Sequence, residues 1–106
     1  MAHSFIPDLA GMVSIQDGAV VSKVIHRDDD MNVTMFGFDR GEGLTEHTAS
    51  RPAIVEVVSG RLSFVVDGEE VILTPGTWLH MPAGASHSLK ALEPTLLLLT
   101  LVKPDP

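Results

Sequence analysis

The chain has no cysteine. It therefore contains no disulfide, no thiolate nucleophile and no zinc–thiolate centre, and it suits a reducing compartment. Basic side chains are also scarce: seven Lys and Arg stand against fourteen Asp and Glu, a formal charge of −7. A phosphate backbone is bound by clustered Lys and Arg, so this balance excludes nucleic acid as a partner. It equally disfavours an anionic lipid surface. The first residues, Met1-Ala-His-Ser-Phe-Ile-Pro-Asp8, lack the basic start and long apolar stretch of a signal peptide. The most apolar run, Leu96 to Val102, falls far short of the about 20 residues that span a bilayer as a helix. The expectation is a soluble, cytoplasmic protein.

Helical periodicity is missing as well. No segment sustains apolar residues at i, i+3, i+4 and i+7, and at most Asp8 to Gly11 forms one short turn. Apolar and β-branched runs recur instead at Ala19–Ile25, Met31–Phe38, Ala53–Val58, Arg61–Val66, Val71–Leu73, Trp78–Met81 and Thr95–Val102. Turn residues separate them, including Asp28-Asp-Asp30, Ser59-Gly60, Asp67-Gly68 and Pro82-Ala-Gly84. Short strands at this spacing mark an all-β sandwich or barrel. Two hairpins are expected: Ser59-Gly60 joining Ala53–Val58 to Arg61–Val66, and Asp67-Gly68 reversing the chain again. In Arg61–Val66, alternation puts Leu62, Phe64 and Val66 on one face. With 106 residues and no linker or repeat, 1–106 reads as one domain, with an N-terminal arm (1–12) and a core of about 18–103.

Leu96 through Leu99 offer no polar face, as in a strand buried on both sides. Their outer face needs cover. The expectation is a homodimer in which Thr95–Val102 lies at or near the contact, the alternative being cover from the N-terminal segment around Phe5 and Ile6.

Two histidine-bearing segments carry the chemistry. The first is Gly41-Glu-Gly-Leu-Thr-Glu-His47, continuing through Ala49 and Ala53 to Gly60. The second is Gly76-Thr-Trp-Leu-His-Met-Pro82-Ala-Gly84-Ala-Ser-His87. Together they resemble the two signature motifs of the cupin superfamily. The resemblance spans Gly41 to about Ala91, nearly half the chain. It implies a double-stranded β-helix (jelly-roll) barrel, often holding one metal ion. Mapped onto this chain, the family's first metal-binding histidine is His47 and its last is His87. Its second histidine falls on Ala49, its glutamate on Ala53, and an asparagine often found after the last histidine on Ala91. The metal set is thus half present.

His47 and His87 remain as metal ligands of an incomplete set. No cofactor is certain, and a divalent transition metal (Fe, Mn, Ni or Zn) would need a third donor. Glu46, Glu56 and His80 are the candidates. Strand alternation turns Glu46 and Glu56 outward. His80 shares a face with Trp78, and which face that is depends on register. His3 and His26 have no partner by spacing and read as surface residues. The expected pocket comprises His47, His87, His80, Trp78, Ala49 and Ala53, with Met35, Phe36 and Phe38 making part of the interior apolar.

Other chemistries lack their residues. There is no Gly-x-Ser-x-Gly elbow, Gly41-Glu-Gly43 is too short and acidic for a phosphate cradle, and Asp28-Asp-Asp30 lacks the spaced ligands of a calcium loop. Three functions stay open. The first is a non-catalytic or weakly catalytic barrel that binds a small, partly apolar or acidic ligand. The second is a metal-dependent oxygenase or isomerase using His47, His87 and a further donor. The third is an assembly module built on the last strand. Whether the protein is an enzyme is left open by the residues.

Overall fold

The computed structural model describes residues 2–103. Nine strands follow one short 3₁₀ turn at Ala10–Met12, which overlaps the Asp8–Gly11 turn expected from sequence and ends one residue later. They are β1 (Val20–Arg27), β2 (Met31–Phe38), β3 (Gly43–Thr48), β4 (Ala53–Ser59), β5 (Leu62–Val66), β6 (Glu69–Leu73), β7 (Trp78–Met81), β8 (Ser86–Ala91) and β9 (Thr95–Val102). A five-stranded sheet has the order β1-β2-β9-β4-β7, and a four-stranded sheet the order β3-β8-β5-β6. All ladders within the sheets are antiparallel, and the two sheets form a jelly roll. Two of these strands, β3 and β8, are missing from the apolar runs, because Gly43–Thr48 and Ser86–Ala91 carry few apolar residues.

Alternation decides which residues meet between the sheets. From the larger sheet come Phe36, Phe38, Ala53, Val55, Val57, Leu79, Met81, Leu97, Leu99 and Leu101, and from the smaller one Leu44, Leu62, Phe64, Val66, Val71, Leu73, Leu89 and Ala91. Phe38, Phe64, Leu62 and Val55 are fully buried. Burial of each such side chain contributes roughly 1.5–3 kcal/mol.

Two expectations are corrected. Ser59-Gly60 makes no hairpin, because β4 and β5 belong to different sheets. The segment is a corner, where Gly60 takes φ +96° and the Arg61 N–H donates to Thr95 Oγ1 at 3.1 Å. Asp67-Gly68 does close the β5–β6 hairpin, both residues having positive φ as a type I′ turn requires. Met35 is not interior either. It pairs with Lys23 and Leu98 on the outer face of the larger sheet, and yet it is wholly buried.

Cover for Met35 comes from within the chain. Ala2, Ser4 and Ile6 share a groove with His26, Met31 and Val33, and Ile15 abuts the open side of Gly37. The N-terminal segment therefore crosses the outer face of β1 and β2. Strand β9 lies centrally, with both edges paired by β2 and β4. Its outward residues are Leu96, which is buried, and Leu98, Thr100 and Val102, which are half-buried.

Candidate functional site

His47 and His87 face each other across the β3–β8 ladder as register partners. A bulge between Leu44 and His47 makes this possible. Leu44 already points inward opposite Leu89, and strict alternation would send the residue three positions later outward. The extra residue of the bulge restores His47 to the inner face. The two imidazoles meet edge to face with centroids 4.1 Å apart. On its other side the buried His87 ring lies parallel to Phe64 at 5.9 Å.

Each ring is pinned in the same way. The Nδ1 of His47 lies 2.7 Å from the carbonyl of Thr45, and that of His87 lies 3.1 Å from the carbonyl of Ala85. A carbonyl oxygen only accepts, so both Nδ1 atoms carry hydrogen. In the neutral rings Nε2 is then left as a bare lone pair, the arrangement in which imidazoles are held as metal ligands or hydrogen-bond acceptors.

These rings form part of the wall of a cavity of about 40 Å³ between the sheets. Apart from the imidazoles, its lining is Phe36, Phe38, Leu44, Val55, Phe64, Met81, Leu89, Leu97 and Leu99. No carboxylate, hydroxyl or amide side chain is among them.

Other residues expected in the pocket lie elsewhere. Trp78 and His80 pair with Glu56 and Ile54 and stand on the outer face, their rings stacked at 6.2 Å. Both are exposed, because the inward positions of β7 are Leu79 and Met81. Ala53 does point inward, opposite Met81, but its methyl is packed in the core and does not line the cavity. Ala49 lies just beyond β3, where its carbonyl accepts from the Gly84 N–H at 2.8 Å. Sequence reasoning missed seven lining residues: Leu44, Val55, Phe64, Met81, Leu89, Leu97 and Leu99. Alternation from Ala53 and from its β7 partner would have found Met81, whereas nothing in the sequence announces the bulge that brings Leu44 and His47 to one side.

The candidate third donors do not reach the site. Glu56 faces outward between Trp78 and Leu98, His80 shares that face, and the exposed Glu46 lies in the bulge without lining the cavity. Among the described residues no group of three or more His, Cys, Asp or Glu is placed to hold a metal ion. His87 is buried but His47 is exposed, and two imidazoles with no carboxylate beside them leave a divalent ion short of protein donors.

Away from the cavity, His26 does have a partner. Its Nε2 lies 2.7 Å from Asp28 Oδ2, while Asp28 Oδ1 accepts from the Asp30 and Met31 N–H groups. The hydrogen bond with His26, then those with the backbone, hold the Asp28 carboxyl below its ordinary value. Asp28-Asp-Asp30 is thus a side-chain-capped turn between β1 and β2. No described helix is long and apolar enough to cross a membrane.

A two-sheet jelly roll with paired imidazoles between its layers defines a class of small β-barrel proteins. The cupin domain model matches residues 34–102, and the chain belongs to the cupin family. It is similar, at 30% identity and a TM-score of 0.87, to a conserved protein of unknown function from Streptococcus pyogenes, with all of this chain and 93% of that one covered. A cupin 2 conserved barrel domain protein from Leptotrichia buccalis is 34% identical at a TM-score of 0.83, over 89% of this chain and 46% of that one. KdgF from Halomonas sp. is 28% identical at 0.77, over 92% and 93%. Among curated proteins none matches the sequence.

Proposed function

We propose that this cupin binds a small, largely apolar molecule between its sheets and is non-catalytic or weakly catalytic. The observation that carries this reading is the lining: nine apolar side chains and two imidazoles whose Nε2 lone pairs are left free by pinned Nδ1 atoms. A cavity of about 40 Å³ admits roughly three water-sized groups at the 10–15 Å³ that one water needs. The fitting guest is therefore a short-chain alcohol or carboxylic acid, its hydroxyl donating to Nε2 and its alkyl group lying against Phe64, Leu97 and Leu99. Titration with a series of such acids and alcohols tests this. At tenfold excess over Kd the guest adds about 1.4 kcal/mol, a rise of roughly 5–10 °C in Tm for a domain of this size. The His47→Ala, His87→Ala double variant loses the rise. No rise with any member of the series contradicts the reading.

The alternative of a divalent-metal oxygenase or isomerase draws support from the orientation of the two imidazoles. It is weakened by the donor count. KdgF is a relative at 28% identity, and its name alone does not carry an activity to this chain.

The same reading includes a homodimer through the outer face of the larger sheet. Since both edges of β9 are paired, this strand can reach a partner only through Leu96, Leu98, Thr100 and Val102. They continue into Ile54, Val58 and Trp78, the last 62% exposed. Sedimentation as a monomer at micromolar concentration would contradict it.

A further inference from the structure

We propose that two reciprocal ion pairs, each between Glu56 of one copy and His80 of the other, hold the homodimer, which therefore tightens as pH falls through the imidazole range. This rests on the dimer reading given above and adds the groups that set its register and its response to protons.

The outward residues of β9 are Leu96, Leu98, Thr100 and Val102, those of β4 are Ile54, Glu56 and Val58, and those of β7 are Trp78 and His80. Among these only Glu56 and His80 can carry a charge. Glu56 is half-buried and stands between Leu98 and Trp78 in its row across the sheet. His80 is exposed, opposite Ile54, with its ring stacked on Trp78. The two are diagonal neighbours on paired strands, a separation of roughly 7–8 Å. Within one copy they form no ion pair, the only one among the described residues being His26–Asp28.

Cover by a second copy places the Glu56 carboxylate among apolar side chains, where an unpaired charge is costly. Other cations are committed or distant. Arg51 Nε donates to the Val102 carbonyl at 3.0 Å, at the end of β9. Lys23 and His26 lie on β1, beyond the β2 surface that the N-terminal segment crosses, and His26 is bonded to Asp28. Around His80 the outward charge is Glu56 from β4, while Asp67 and Glu69 approach β7 only from its inner side, beside Leu79. A two-fold contact is isologous, so when Glu56 meets the partner's His80, His80 meets the partner's Glu56. The paired charges also fix the register of the two copies.

Imidazole gains its charge as pH falls from about 8 to about 5. The dimer holds the protonated ring beside the carboxylate, so assembly takes up protons and is favoured by the lower pH. The test is sedimentation velocity of the untagged chain over a concentration series at about pH 8 and about pH 6, between which the dimer Kd should fall about tenfold. His80→Gln and Glu56→Gln should each remove most of that change. The exchange of Glu56→Lys with His80→Glu should give a dimer indifferent to pH over this window. His26→Gln, on the half of the sheet that the arm crosses, should respond as wild type, which separates the pair from the general loss of negative charge in acid. A dimer whose Kd does not change with pH, or whose change survives both single substitutions, overturns this proposal and leaves the dimer standing. A monomer at both pH values overturns both.

Discussion

Gly60 and Thr95 are packed so closely that a Cβ on the glycine would lie 2.7 Å from the Thr95 Cα and 2.3 Å from the Pro94 carbonyl oxygen. Thr95 is itself fully buried, and its hydroxyl donates within this corner, with the Arg61 and Glu93 carbonyls in reach. The chain thus changes sheets, from β4 to β5, against the start of β9.

Gly60→Ala is therefore expected to be severe. Its φ of +96° alone costs a side chain about 1–3 kcal/mol, and the backbone clash adds to that. Gly68→Ala, at φ +83° with nothing within 4 Å of the new Cβ, should cost only the conformational strain. Denaturant unfolding of the two variants checks the order, and equal losses would contradict the corner geometry.

Acid should unfold the protein partly through two turn carboxylates. Hydrogen bonds from the Gly18 N–H and then the Arg40 N–H hold Asp39 below the ordinary value of 3.8, and Asp28 is held below it chiefly by His26. A folded-state value below the unfolded one favours folding fully above the unfolded value. The contribution is then lost as pH falls through about 4 and on through the lower folded values. Asp28→Asn and Asp39→Asn should flatten the fall in Tm over that window. Unchanged slopes in both variants would contradict the assignment.

His87→Phe should keep the fold and end the site. The new ring can stack on Phe64 as the imidazole does, and its extra volume in a packed site should cost about 1–3 kcal/mol. Binding of short-chain acids and alcohols should disappear. Retained binding would show that the guest lies elsewhere.

The sole tryptophan, Trp78, reports on the outer face and not on the cavity. Its emission should stay unchanged when a guest enters between the sheets. If β9 and its neighbours form the homodimer, emission should shift to the blue as concentration rises, and Trp78→Asp should hold the chain monomeric. A monomeric wild type would remove the dimer.

Legibility in the sequence followed burial. Strands with strong apolar alternation, such as β5 with Leu62, Phe64 and Val66 inward, could be read directly. The strands bearing His47 and His87 could not, because site residues displace the apolar ones that announce a strand. Glycine spacing nonetheless located both histidines through their likeness to cupin motifs. Trp78 and His80 were misplaced because one residue of register on β7 exchanges the outer face for the cavity. Ser59-Gly60 resembles a hairpin turn locally, and only the pairing of β4 with β9 and of β5 with β8 makes it a crossing. Cover for Met35 by the N-terminal segment depends on contacts between distant parts of the chain, which no local pattern carries.

The most direct test is a long-range ¹⁵N–¹H spectrum of the histidine rings, recorded where the imidazoles are uncharged and then with a guest added. Both His47 and His87 should show hydrogen on Nδ1 and a bare Nε2, and the Nε2 signals alone should move strongly as the guest binds. Hydrogen on Nε2 of either ring, or rings indifferent to every short-chain acid and alcohol, would contradict a site built on two free Nε2 lone pairs.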